Sequence, residues 1–301
     1  MQPVVLNEPF RAVFYAPFYV AEARGMFARQ GVEVRRDTAG DPNKAAENLL
    51  SGQADIAWSG PMRPMLLRDR DPSCPLRSFC AVVMKDPFLL VGRGARPGFA
   101  LTDLPGLRFG TVSEVPTPWW CLQDDIRRAG VDPEALTRVA DRSMAENVAA
   151  VLAGTLDVAQ VFEPHAALAE AQGAAVWHRA ADRGLSAYTA FYATERRIAE
   201  RSAEFEAMIR AMAEALAWMY ATSAEEIAAT VAPLFADVPR AALTAALARY
   251  QGLRLWSPTP HFPREAFEQL RGAMQTAGVI KGAPAFEVCV DEAIVTRALG
   301  A

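Results

Sequence analysis

Lysine, histidine and cysteine are scarce in this 301-residue sequence, and no apolar run approaches the length of a membrane-spanning helix. Each shortage closes off a class of function. Among 31 basic residues only Lys44, Lys85 and Lys281 carry a side-chain amine, so Schiff-base chemistry has few candidate groups. His165, His178 and His261 lie far apart, with no H-x-x-x-H or C-x-x-C spacing, so no metal site is expected. Cysteine is too sparse for a disulfide scaffold. Cys74 and Cys80 are near enough in sequence to bridge in an exported protein, while Cys121 and Cys289 read as buried thiols. Positive charge is not clustered and the formal net charge is −4, so neither nucleic acid nor direct membrane insertion is expected. There is no G-x-S-x-G elbow and no phosphate-binding G-x-x-x-x-G-K-[ST] loop. Gly92-Arg93-Gly94 lacks both the third glycine and the strand-to-helix setting of a dinucleotide fingerprint.

What remains is 51% apolar, 22% charged and 9% aromatic, a globular chain with enough length for one large or two modest domains. The punctuation of the first ninety residues predicts strand, helix, strand, helix, strand. Pro3–Leu6 is a short apolar run that stops at Asn7-Glu8-Pro9. Pro17 opens a helical segment closed by Gly31, and Val32–Val34 reads as the second strand. Asp41-Pro42 caps a helix over 43–51, Gly52 stops it, and Ala54–Trp58 is the third strand. The same order begins again at Leu107–Val112. Thr117-Pro118 is expected to cap a helix reaching Gly130, and Ser143 with Glu146 forms a capping box. Gly154 then leads into the strand Leu156–Phe162.

Leu50-Ser51-Gly52-Gln53-Ala54-Asp55-Ile56-Ala57 and Leu152-Ala153-Gly154-Thr155-Leu156-Asp157-Val158-Ala159 share helix end, glycine, then Asp-apolar-Ala. General α/β punctuation produces short matches of this kind, but two similar α/β lobes explain the whole order better. Ala81–Gly92 and the alternating Leu185–Tyr192 are expected to carry the chain out to the second lobe and back. Lobe I is then 1–90 plus 187–301, and lobe II is 91–186. Phe205, Met208, Ile209, Met212, Leu216 and Met219 form one stripe of a helix starting near Thr194. With helices over Pro239–Gln251 and Pro263–Gly278, it is expected to cap the first lobe.

In open α/β sheets, ligands sit beyond the carboxyl ends of the strands. The loops so placed are Glu8–Ala16, Trp58–Arg63, Ser113–Trp120 and Phe162–His165. Their candidate ligand-binding residues are Tyr15, Trp58, Ser59, Arg63, Ser113, Glu114, Thr117, Trp119 and Glu163. Several have structural alternatives. Trp119 and Trp120 share a helical first turn, so at most one faces the cleft comfortably, and a single tryptophan is core more often than platform. Arg63 pairs equally well with Asp69 or Asp71 on a solvated face, and Glu163 can cap the following helix. Ser113 and Thr117 can hold an anion or cap a helix, with capping the stronger expectation for Thr117. Catalytic constellations are poorly supported.

Ala16-Pro17-Phe18-Tyr19-Val20-Ala21-Glu22-Ala23-Arg24-Gly25-Met26-Phe27, Gly31-Val32-Glu33-Val34, Leu50–Ala57 and Asp86-Pro87-Phe88 resemble the substrate-binding components of ABC importers for sulfonates, taurine, nitrate and thiamine-pyrimidine precursors. The resemblance covers most of the chain to about residue 195. It implies the type II periplasmic binding protein fold, two similar Rossmann-like lobes joined by a two-crossing hinge, with C-terminal helices on the first lobe. It also implies a receptor that closes over a small organic ligand and partners an ABC permease and an ATPase. The same family includes eukaryotic thiamine-pyrimidine synthases, which carry a lysine anchoring pyridoxal phosphate, a nearby histidine and a cysteine-rich run. Here Ser59 and Arg63 stand at the first two places and Ser186-Ala187-Tyr188-Thr189-Ala190-Phe191 at the third. No cofactor and no enzymatic activity are therefore expected. Glu8 replaces a common tryptophan and Tyr15 a common histidine, so the ligand should differ from those of the best-known members.

The leading expectation is an importer's solute-binding protein. Inward-facing Glu114 and Glu163 would favour an aminopyrimidine-like heterocycle, whereas Arg63 favours a carboxylate. The alternative is a cytoplasmic enzyme of the same fold acting on a pyrimidine or aromatic acid. Residues 1–8 have no basic n-region followed by an apolar h-region. The expected location is periplasmic or otherwise extracytoplasmic if a leader has been removed, and cytoplasmic if the start is native.

Overall fold

The computed structural model describes residues 2–300. Among the described residues, ten strands form two five-stranded sheets. In the first, β1 (Val4–Glu8), β2 (Val34–Thr38), β3 (Ile56–Ser59), β4 (Leu76–Val83) and β10 (Thr189–Thr194) lie in the order β2-β1-β3-β10-β4. In the second, β5 (Leu89–Arg93), β6 (Arg108–Gly110), β7 (Thr137–Val139), β8 (Val158–Val161) and β9 (Ala174–Arg179) lie in the order β7-β6-β8-β5-β9. Each sheet has three parallel strands followed by one antiparallel to its neighbours, β10 in the first and β5 in the second. That shared plan is the internal repeat at the level of topology.

The repeat extends to single hydrogen bonds. The Val5 N–H donates to Asp55 at 2.9 Å, and the Arg108 N–H donates to Asp157 at 2.8 Å. In return, the Asp55 and Asp157 N–H groups donate to the carbonyls of Val5 and Arg108. Each aspartate thus ties the start of its sheet's third parallel strand to the first, which explains why the residue recurs in both copies.

The helix ends follow the capping chemistry of the sequence in most places. Asp41 accepts from the N–H groups of Asn43 and Lys44 at the start of Pro42–Ser51, and left-handed Gly52 ends that helix. Ser143 and Glu146 form the capping box of Met144–Leu152. Thr117 does not cap: it is the first residue of Thr117–Arg128, whose N-cap is Pro116, and no side chain there accepts a helix N–H. The expected strand at Val32–Val34 lies two to four residues later, because Gly31 and Val32 still close the preceding helix through bonds to Ala28 and Phe27. β10 does not alternate. It lies between two strands and is buried on both faces, so every residue of it is inside.

The chain crosses between sheets at Met84–Phe88 and again at 180–188. Arg183 of the second crossing donates to Asp86 of the first at 2.8 Å and to Asp125 of the Thr117–Arg128 helix at 2.9 Å. These three groups are almost wholly buried, and the guanidinium satisfies both carboxylates at the hinge.

Thr194 caps Glu195–Glu200, and the long helix Ser202–Ala221 buries its whole predicted apolar stripe against the helices Ala16–Ala23, Met26–Arg29 and Glu292–Leu299 and strand β4. Each such side chain contributes about 1.5–3 kcal/mol on burial. The later helices do not stay on one lobe. Arg264–Thr276 packs on Thr117–Arg128, and Arg240–Gly252 packs on His165–Glu170, so both reach elements of the second lobe. Their exposed polar edges explain this reach: Arg249, Gln269 and the Thr276 carbonyl find partners there. All four cysteines are buried and free, so Cys74 and Cys80 are not bridged. No described helix is long and apolar enough to cross a membrane.

Candidate functional site

All four loops singled out by topology converge on one cleft between the sheets. It has a deep chamber of about 40 Å³ and an outer chamber of about 580 Å³, with Phe10, Pro42, Val115 and Phe162 lining both. A third recess of about 450 Å³ opens on the other side of Pro42 and Val115. The cleft is apolar in most of its lining, with few polar groups.

Arg63 is the most informative of these. It lies in the helix Met62–Arg70, which starts directly after β3, and it lines both the deep chamber and the third recess. Its side chain is largely buried, yet it forms no ion pair and no hydrogen bond among the described residues, and its buried Nε is unpartnered. Burial pushes the guanidinium below its ordinary pKa, with Tyr192 and Asp41 pulling it back up and Arg70 adding to the depression. An arginine remains charged under that shift, so the deep chamber carries a cation with no ion-pair partner among the described residues, offset only by the more distant Asp41.

Aromatic rings surround it. Phe10, Phe14, Tyr15, Phe88, Phe162 and Tyr188 all line the deep chamber, together with Ser59 and Thr117. Burial drives the hydroxyls of Tyr15 and Tyr188 well above their ordinary pKa, so both stay neutral donors. The outer chamber is walled by Met144, Leu234, Phe235 and Val238, with Arg11, Asp41, Glu114, His165 and Asp237 as its polar members. Arg11 donates to the Leu234 carbonyl at 3.2 Å and so ties the loop after β1 to this wall. Burial lowers the pKa of half-buried His165, and the nearby Glu114 charge partly offsets that.

Of the predicted residues, Tyr15, Ser59, Arg63, Glu114 and Thr117 line the cleft. The other four do not. Trp58 is fully buried in the first lobe's core, stacked on Phe18 with centroids 4.4 Å apart. Trp119 turns inward to Phe109 and lies under Arg138, whereas its neighbour Trp120 lines the third recess. Ser113 is exposed and donates its backbone N–H to Glu114. Glu163 is withdrawn behind the cleft: it pairs with Arg249 and accepts from the Ala167 N–H at 2.9 Å. Burial raises its pKa, and Arg249 with that N–H counters the rise. Glu114 reaches the outer chamber, but its carboxylate already accepts from Ser113 and from Met144 at a helix N-terminus.

Phe10 and Phe162 fall in loops that topology had picked out, so their ring type was a readable signal. Phe88 and Tyr188 lie on the two crossings, and Leu234–Val238 joins two C-terminal helices. The latter segment has no local feature that marks it as part of a cleft. Among the described residues, no three His, Cys, Asp or Glu side chains gather as a metal site.

Comparison with known proteins gives this geometry a setting. "Putative binding protein YtlA" of Bacillus subtilis (strain 168) is 26% identical over 280 residues, covering 91% of this chain and 83% of that protein. The periplasmic aliphatic sulphonate binding protein SsuA of Escherichia coli superposes with a TM-score of 0.77 at 14% identity, over 97% of this chain and 92% of its own. The desulfurization enzyme DSZB, solved as a mutant with biphenyl-2-sulfinic acid, superposes with a TM-score of 0.72 at 14% identity, over 99% of each chain. The fold is that of the type II periplasmic binding proteins. A family model described as NMT1/THI5 like matches residues 14–226, and the chain belongs to that family.

Proposed function

We propose that this chain is the solute-binding component of an ABC importer, taking up a small organic anion in the cleft between its lobes. Arg63 carries the reading: its Nε is buried and unpartnered and its terminal nitrogens reach only the open cleft, so the charge is costly unless something in the cleft supplies the counter-charge. A carboxylate or sulfonate does so with bidentate geometry. The preference for an N–H-rich aminopyrimidine rested on Glu114 and Glu163, and both carboxylates are engaged within the protein. The anion therefore takes precedence over the amine.

The names of similar proteins point the same way, since one binds aliphatic sulphonates and another was solved with a sulfinic acid. The partners under this reading are a permease and an ATPase, and the site of action is the periplasm or its equivalent. DSZB makes an enzyme of this fold the second reading, acting on an organosulfur or aromatic acid. Against it, the described residues lining the deep chamber beside Tyr15, Ser59 and Thr117 include no histidine, lysine or carboxylate to act as a general base on a nucleophile, and Arg63 there stays protonated.

A thermal-shift screen of carboxylates, sulfonates, pyrimidines and amines tests the reading. Anions should stabilise the protein in a dose-dependent manner, and Arg63→Gln should abolish the effect. Stabilisation by amines alone, or unchanged anion binding in Arg63→Gln, would overturn it. Turnover of a stabilising anion would move the assignment to the enzyme.

A further inference from the structure

The deep chamber and the outer chamber meet between two phenyl rings. Phe10 follows β1 in the first lobe and Phe162 follows β8 in the second, and the two rings lie within 17° of parallel with centroids 6.5 Å apart. The other near-parallel aromatic pairs among the described residues, Phe18–Trp58 and Phe79–Phe205, are closer, at 4.4 and 5.7 Å, and each lies within one lobe's core. Phe14 stands across the pair, at 80° to Phe10 and 89° to Phe162, and so closes one end. Both facing rings line both chambers, and Arg63 lines the deep one.

We propose that Phe10 and Phe162 form a slot for a planar ring, so that the ligand is an aromatic acid with its ring between the two phenyl faces and its anionic group on Arg63. The inference rests on the anion reading above and names the body that carries the charge. A flat ring touching both faces needs roughly 3.5 Å on each side, a total of about 7 Å. With centroids 6.5 Å apart, the ring planes are no farther apart than that. Entry therefore requires the two rings to part by at least about half an ångström, and by more the farther they are slipped sideways, and closure restores contact on both faces. A saturated ring is puckered and thicker, so it would hold the lobes farther apart and lacks the quadrupole that two aromatic walls recognise. Phe14, at right angles, would meet the edge of the inserted ring, an edge-to-face arrangement that aromatic groups prefer.

The test compares benzoate and benzenesulfonate with cyclohexanecarboxylate by titration calorimetry on the full chain. The planar acids should bind about tenfold or more tightly than the saturated one, from two stacking contacts. Phe10→Leu and Phe162→Leu should each cut that ratio severalfold while keeping the weaker anion binding. Phe10 is only half-buried, so its variant retains the fold even if the Phe162 variant does not. Equal affinity for planar and saturated acids, or a ratio unchanged in Phe10→Leu, would overturn the slot. Binding of alkylsulfonates alone would also overturn it and leave the anion reading standing, whereas no anion binding at all overturns both.

Discussion

Replacing Arg249 with methionine should destabilise the protein by about 3 kcal/mol near neutral pH, because the arginine compensates a carboxylate that water does not reach. Glu163 is completely buried, Arg249 keeps a fifth of its side chain exposed and Glu170 a third. Breaking a buried pair from one side costs roughly 3–5 kcal/mol. The lower end applies because Glu163 keeps the Ala167 N–H and the shortened side chain admits some water. Burial already raises the Glu163 pKa and Arg249 opposes that rise, so the variant's folded-state pKa climbs further. The folded protein then binds the Glu163 proton more tightly than the unfolded chain does. Between the ordinary carboxylate pKa and that raised value, stability falls as pH rises. The deficit of Arg249→Met relative to the parent should therefore be larger at pH 7.5 than at pH 5.

Urea unfolding followed by tryptophan fluorescence and far-ultraviolet circular dichroism at both pH values measures it. The double variant Arg249→Met with Glu163→Gln should recover more than half of the loss, since it removes the stranded charge. A deficit under about 1 kcal/mol, or one equal at both pH values, would show that Glu163 does not depend on Arg249 and would refute the reasoning.

Three further outcomes are expected. Gly92→Ala places a Cβ about 2.1 Å from the Trp177 indole and should cost a few kcal/mol through overpacking, read as a fall in the urea midpoint; an unchanged midpoint would mean that the ring moves freely. Asp157 is held down to a pKa of about 2, first by its side-chain bond from Arg108 and then by the Arg108 N–H. Its contribution is complete above the ordinary aspartate pKa and is lost as pH falls toward 2, so melting curves of Asp157→Asn and parent should converge in acid, and parallel curves would contradict this. Ser143→Ala removes one half of the capping box and should lower stability by about 1 kcal/mol in denaturant titrations, with a neutral result showing that Glu114 alone suffices at that helix end.

Topology was legible in the sequence because it depends on local signals. Gly52, Gly154, Asp41 and the Ser143/Glu146 pair each act within a few residues, and the recurrence of Asp55 and Asp157 reflects one hydrogen-bonding role in both sheets. Once the strand order was known, the cleft loops followed, and Tyr15, Ser59, Arg63, Glu114 and Thr117 line the cleft they define. Trp58 went wrong for a local reason as well: the last residues of a central strand alternate between cleft and core, and Ser59 rather than Trp58 faces outward.

The roles of the charged residues were only partly legible: Glu163 does accept an N–H of the following helix, as its position before Pro164 suggests, but its ion pair is decided by a partner far away in the chain. Glu163 and Arg63 look alike in sequence, each a charged side chain just beyond a buried strand. Glu163 meets Arg249 from a helix 86 residues later, whereas Arg63 meets no carboxylate. The same helix carries Tyr250, whose hydroxyl accepts from the Glu163 N–H at 3.0 Å and donates to the Pro87 carbonyl on the first crossing. One C-terminal helix thus neutralises the acid behind the cleft and fastens it to the hinge, while Arg63 stands in the deep chamber with no ion pair among the described residues. Under the anion reading proposed above, the preference is thus built partly by residues that never touch the ligand: Arg249 holds the buried Glu163 in place behind the aromatic wall of Phe162, so that its carboxylate is already paired and does not compete with Arg63 for the ligand.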